Sequence, residues 1–249
     1  MAWVSRRHGR SLDTERRGND VSNRWDRIAA LTGVLFVVLV VAAFMVGGNS
    51  PANDAKASTI RSFYLTHKTR TNVSGLLVIL AVIAGIFFYG YLRAYLRRSP
   101  AVEWLAALGF GGALVFGAGA AIGAGTSTAL ADVPGRLTPG ALQALNVLNS
   151  DLSWPLVCVG LGTLWFGVGF AILKSRALPV WLGWVSLLLG ATSASFVLSW
   201  IGFLGTGVWV LIVSILLAVR NPRVGAELAA QPPEAAVPTA PEVPVPAGV

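Results

Sequence analysis

The chain has 249 residues, 55% of them hydrophobic and 12% charged, with a mean hydropathy of +0.68 and a formal net charge of +8. Soluble domains carry roughly 25% charged residues, so a water-soluble enzyme or binding domain is excluded as the body of this protein. The positive charge lies outside the apolar stretches, where Lys and Arg orient membrane helices and touch anionic headgroups. The bilayer, with its anionic headgroups at the Arg clusters, is therefore the expected partner, and nucleic acid is not.

Six apolar stretches between Ile28 and Val219 contain no Asp, Glu, Lys, Arg or His. Each is close to the ~20 residues that cross a ~30 Å hydrocarbon core. The predicted fold is all-α, a polytopic transmembrane bundle of six spans. Residues 1–27 form an Arg-rich polar tail. Ser5-Arg6-Arg7 has the look of a twin-arginine export signal, but about twenty polar residues separate it from the apolar segment, so a cytoplasmic tail is expected. The first span covers 28–46 and ends at Gly47-Gly48-Asn49-Ser50-Pro51. In the loop that follows, Ile60, Phe63, Tyr64 and His67 fall at helical spacing, which predicts an amphipathic helix over 54–67 lying on the membrane surface.

The second span, 73–92, ends in interfacial tyrosines and then Arg93, Arg97 and Arg98. The third, 104–126, repeats a small residue every fourth position: Gly109, Ala113, Gly117, Ala121 and Gly125. Gly119 and Gly123 add a GxxxG pair beside it. Such spacing lets helix backbones approach closely, which replaces the hydrophobic drive missing within lipid, so this helix is expected at the centre of the bundle. In the second long loop, Thr138-Pro139 reads as an N-cap with proline at the first helical position, and a short helix over 139–148 is predicted. The fourth span covers 152–173. Residues 179–198 and 203–219 are read as the fifth and sixth spans, with the turn between Ser199 and Thr206, where glycines cluster. The tail over 221–249 is rich in Pro, Ala and Glu and is expected to be disordered.

Basic residues orient the bundle. The N-terminal tail holds seven, the loop after the second span three, the turn after the fourth two and the C-terminal tail two, fourteen in all. The first outer loop holds four and the second one. The positive-inside rule then puts both termini in the cytoplasm. Sixteen Arg beside three Lys (Lys56, Lys68 and Lys174), with abundant Ala, Gly and Val, fit a GC-rich bacterial genome. The expected location is a bacterial inner membrane.

Most membrane chemistry is excluded by what the spans lack. An intramembrane serine protease needs a histidine base, and His8 and His67 both lie outside the spans. No His, Asp or Arg cluster has the spacing of a metalloprotease or lipid-phosphatase site. One cysteine, Cys158, allows no internal disulfide, and no cofactor or metal is implied. Ion-coupled transport usually needs an intramembrane ionisable group; only hydroxyls, among them Thr163, Thr192, Ser193 and Ser195, could serve a sodium site. The polar groups left are in the outer loops: Arg61, Tyr64, His67, Lys68, Arg70 and Asn72 in the first, Asp132, Arg136 and Asp151 in the second. They read either as salt-bridged loops or as a shallow site for an anionic ligand, a headgroup or a partner, with Arg61, Tyr64, His67, Arg70 and Asp151 as its candidate residues. A non-enzymatic lipid- or partner-binding membrane protein is the function expected, with another membrane protein or a second copy as the candidate partner. The alternative is a transporter or channel subunit for a small uncharged or lipid-like solute.

The stretch Lys174-Ser175-Arg176-Ala177-Leu178-Pro179-Val180-Trp181-Leu182-Gly183-Trp184 resembles the basic, Leu-Pro-x-Trp-Leu-Gly element that starts the fifth span in a family of small six-helix bacterial membrane proteins of unknown function. The layout over about Trp25–Arg223 is similar, with Phe63-Tyr64 in a long first outer loop. The resemblance implies a six-helix membrane protein and no catalytic residues.

Overall fold

In a computed structural model the backbone is described for residues 5–97, 100–195 and 197–220, and the side chains for 25, 27–97, 101–149, 151–195 and 197–219. The expected disordered tail over 221–249 lies outside the described residues. Eight α-helices follow in order: α1 (Ser5–Gly47), α2 (Ala57–Thr66), α3 (Lys68–Leu96), α4 (Glu103–Asp132), α5 (Pro139–Asp151), α6 (Ser153–Ser175), α7 (Val180–Ala194) and α8 (Ser199–Arg220), with one 3-10 turn at Pro100–Val102. No strand occurs among the described residues. The polar N-terminal segment is helical from Ser5 and runs unbroken into the apolar part of α1.

Five segments are long and apolar enough to cross a membrane: Arg27–Gly47, Lys68–Leu96, Glu103–Asp132, Pro139–Ser175 and Ser199–Val219. This makes the chain, by length and composition, a multi-pass membrane protein. Its outer surface agrees with that. On α1, Ile28, Leu31, Leu35, Val38, Val41 and Met45 are all more than half exposed, one stripe at helical spacing turned away from the bundle. A face of that size is costly in water and costs nothing against acyl chains.

The long helices form a closed ring in the order α1, α3, α4, α6, α7, α8 and back to α1. Neighbours run antiparallel. Gly33 on α1 faces Ser214 on α8, while Phe44 packs on Trp200 and Phe203 nearer the start of α8. The start of the apolar part of α1 and the end of α8 therefore share one face of the bundle. At the opposite face α2 and α5 pack on each other and on the end of α4, with Ile60, Tyr64, Leu130, Ala131 and Leu142 as a small separate core. The apolar stripe of α2, expected on the membrane surface, is thus covered at Ile60 and Tyr64 by α4 and α5. A neighbouring apolar helix competes for such a face as well as lipid does. Thr138 caps α5 as the sequence indicated, its Oγ1 accepting from Ala141 N at 3.3 Å.

The glycines of α4 are shared among neighbours. A Cβ at Gly109, Gly112 or Gly119 would meet backbone atoms of α6, and Gly123 faces Ser153 at the start of α6. Gly117 instead faces Val82 of α3, Gly125 has open space, Ala113 is buried and Ala121 is half-buried. The tight seam follows a line at steps of three, four and three (109, 112, 116, 119). Gly112 belongs to it and Gly125 does not.

One turn differs from the sequence reading. The link between the last two helices is Ser195–Leu198, and Gly202, Gly205 and Gly207 lie inside α8. A Cβ at Gly202 would collide with Ser193 of α7, and one at Gly205 with Leu189. These glycines admit the neighbouring helix, a use that their breaker character conceals. With 15 residues, α7 is about 22 Å long, short of a ~30 Å core.

Candidate functional site

The two halves of the ring are filled differently. Towards the face holding the end of α8, the axis is solid: Trp165, Trp209, Phe88, Leu92, Leu96 and Leu217 are fully buried. Trp165 donates from Nε1 to Thr206 Oγ1 at 2.9 Å and meets Trp209 edge-on at 4.6 Å. Towards the α2–α5 cap the axis is hollow, a cavity of about 790 Å3, within the ~300–1,000 Å3 range of ligand sites.

Five long helices line that cavity: α1 from Phe36 to Gly47, α3 from Thr71 to Val82, α4 from Phe116 to Ser127, α6 from Ser153 to Val157, and α8 through Trp200 and Phe203. The eleven steps from Thr71 to Val82, or from Phe116 to Ser127, give a depth of about 17 Å, more than half of a ~30 Å core. Phe36 and Phe116 form the floor, edge to face at 6.3 Å, and Phe36 also meets Tyr89, which contacts Trp165. The aromatic layer thus separates the hollow half from the solid one. Small residues help make the space: Ala81 and Ala120 stand in the wall where larger side chains would reach into it.

The wall changes character along its length. The deep part is Phe, Val, Ala and Gly; the mouth carries Ser50, Thr71, Ser74, Ser127, Asn149, Asp151 and Ser153. Ser127 Oγ donates to Asn149 Oδ1 at 3.0 Å, and Ser74 Oγ to Ala43 O at 2.9 Å. On one side the wall is a single aromatic pair. Trp154 stacks on Trp200 at 4.7 Å and 30°, with Trp154 Nε1 donating to Ser199 Oγ at 3.2 Å. There α7 has already ended, since Ala194 lies level with Gly162 of α6, and Trp200 is 52% exposed on its outer side.

Of the outer-loop residues singled out from the sequence, two line the cavity, Tyr64 and Asp151. Asp151 is exposed at the mouth and accepts from Asn53 Nδ2 at 3.0 Å. Tyr64 is 1% exposed, its hydroxyl has no hydrogen-bond partner among the described residues, and burial pushes the phenol above its ordinary value. The others hold the cap together. Arg61 donates from Nε to Pro134 O at 3.1 Å and from Nη2 to Leu137 O at 2.8 Å, tying α2 to the loop before α5. Arg70 donates to Val46 O and so caps the end of α1 beside Gly48, whose φ of 58° ends that helix. His67 sits at the α2–α3 junction, its Nδ1 3.0 Å from Phe63 O and its ring stacked on Phe63 at 4.6 Å. Lys68 pairs with Asp132 at 3.2 Å, and Asn72 donates to the same carboxylate. Arg61, His67 and Arg70 thus each contact a backbone carbonyl at the α2–α5 end of the bundle.

The described residues contain no group of His, Cys, Asp and Glu able to hold a metal. Thr192, one candidate sodium ligand, bonds back to Leu188 O at 3.0 Å, and Ser193 Oγ is buried against Gly202 with no hydrogen-bond partner among the described residues. The sequence reading missed the cavity's deep residues, Phe36, Val40, Val78, Ala120 and Phe116, because apolar residues in a membrane helix look alike whether they face lipid, a neighbour or a void. No family model matches the chain, and no curated protein or solved structure is significantly similar to it.

Proposed function

We propose that this is a six-span membrane protein, both termini cytoplasmic, that binds a lipid or lipid-like molecule without chemically changing it. One observation carries the reading: a cavity of about 790 Å3, apolar in depth and polar at its mouth, in a bundle whose outer surface is apolar. An amphiphile matches that gradient, its chain along the axis and its head beneath the α2–α5 cap. The sixth crossing is α7, with the Ser195–Leu198 link completing its path to the outer face. The resemblance over 174–184 to small six-helix bacterial membrane proteins supports the same topology and a bacterial inner membrane. Association with another membrane protein or a second copy remains compatible with the exposed helix faces.

Transport of a small uncharged solute is the second reading, favoured by the cavity's reaching past the middle of a bilayer-sized bundle. Transport requires a route through Phe36, Phe116, Tyr89 and Trp165, and the closed aromatic floor favours binding instead.

The binding reading is tested with the full chain in phosphatidylcholine nanodiscs, using a single-chain amphiphile with a photoreactive group at the chain end. Labelling of peptides around Phe116 and Val78 is expected. Ala120→Trp, which puts an indole into the cavity, is expected to remove most of that labelling while leaving the protein folded; equal labelling of both proteins would sink the reading. The orientation is tested on intact cells with an impermeant maleimide, using single cysteines in a Cys158→Ala background. Cysteines at Ser58 and Thr138 are expected to react and one at Ala229 is not; the reverse pattern inverts the topology.

A further inference from the structure

The charge of the mouth narrows the class of amphiphile, an inference that rests on the binding reading above. Among the described residues, Asp151 is the one charged residue lining the cavity, and no Lys, Arg or His lines it. The nearby cations are committed elsewhere: Arg61 to Pro134 and Leu137 carbonyls, Arg70 to the Val46 carbonyl, Lys68 to Asp132. The other mouth groups are hydroxyls and the Asn149 amide, which can both donate and accept, so the carboxylate sets the charge of the described lining. An anionic head would enter beside that negative charge. Like charges so placed repel, and no cation among the described lining residues offsets the desolvation of the anion. A head that donates hydrogen bonds and carries no negative charge finds acceptors in the carboxylate and the hydroxyl oxygens without that repulsion.

We propose that the cavity selects single-chain amphiphiles with a hydrogen-bond-donating, non-anionic head group, held by Asp151 and the hydroxyl and amide oxygens of the mouth, with the chain running down to the Phe36–Phe116 floor. Alcohol and ammonium heads share this chemistry; fatty-acid, phosphate and sulfate heads lack it. The ammonium head gains most from Asp151, because a hydrogen bond between two ionised groups is stronger than one between neutral groups.

The test is competition against the photoreactive probe in the same nanodiscs. Three amphiphiles with one matched chain are compared: hexadecyl glycerol, hexadecylamine and hexadecyl sulfate. The glycerol ether and the amine are expected to halve labelling at membrane mole fractions about fivefold or more below that of the sulfate. Asp151→Asn keeps the size of the side chain and removes its charge. It is expected to weaken competition by the amine about threefold to fivefold, the scale of one partly exposed ion pair, while changing the glycerol ether less than twofold. Sulfate competing as well as the other two, or an Asp151→Asn variant that leaves the amine unchanged, overturns the head-group assignment. Ala120→Trp separates the two levels. If labelling in the wild type disappears in that variant but the three heads compete equally, the cavity binds chains without reading heads. If labelling survives in the variant, the cavity reading itself is wrong and the head-group inference falls with it.

Discussion

Gly160→Val is expected to be among the most damaging single substitutions in this protein. A Cβ at Gly160 would come closer than 3.0 Å to the backbone nitrogen and Cα of Phe116, and Gly112 and Gly167 stand equally close to backbone atoms across the same α4–α6 seam. Backbone atoms in the middle of a helix cannot swing aside as the end of a flexible side chain can, so the two helices must separate along the whole seam. Overpacking typically costs ~1–3 kcal/mol, and this contact belongs at the upper end. The seam also has no substitute inside lipid, where close van der Waals approach replaces the hydrophobic drive. Thermal unfolding in detergent is the measurement. Gly125→Ala and Gly111→Ala serve as controls, since a Cβ at either meets nothing within 4 Å. Both are expected to be neutral, or stabilising by up to about 1 kcal/mol from helix propensity. If Gly160→Val costs no more than these, close approach does not hold the bundle together.

The second large effect is expected at Trp165. It is 0% exposed, lies in the solid half of the ring, contacts Tyr89 and Trp209, and is hydrogen-bonded to Thr206. Truncation to alanine leaves a void that no neighbouring helix can close without disturbing the ring. A cost of about 3–5 kcal/mol follows. Trp165→Phe keeps most of the ring and loses the Nε1 bond. Thr206 Oγ1 still donates to Gly202 O at 2.8 Å, so no donor is orphaned and the cost is expected near 1 kcal/mol. Unfolding of both variants in mixed micelles separates the contributions. Equal destabilisation by Phe and Ala would mean that the hydrogen bond, and not packing, fixes this layer. The alanine variant also opens the floor beneath the cavity, so the labelled stretch in the photoreactive experiment is expected to extend towards Trp209.

How much could be read in advance depends on the kind of signal. Helix existence was legible, because blocks of uncharged residues near the length of a bilayer admit few other structures. The Thr138 cap was legible because capping is local chemistry. The α7–α8 turn was misread because glycine both ends helices and permits their close approach, and only the neighbouring Ser193 and Leu189 tell which use applies at Gly202 and Gly205. The engagement of Arg61 and Arg70 with the Pro134, Leu137 and Val46 carbonyls was not legible, because it joins segments far apart in the chain. Tyr64 and Asp151 stood out as polar residues, but nothing local assigned them to a cavity.

By itself, then, the sequence determined that this chain is an all-helical membrane protein whose apolar stretches carry no Asp, Glu, Lys, Arg or His. Those properties follow from residue types and short-range spacing, which hold whatever the helices touch. The tertiary structure alone decided that six helices close into a ring, that one half of its axis is filled by Trp165, Trp209 and Phe88, and that the other half is left open. A void is defined by side chains from five helices failing to meet, and no single stretch of sequence records where its neighbours stop.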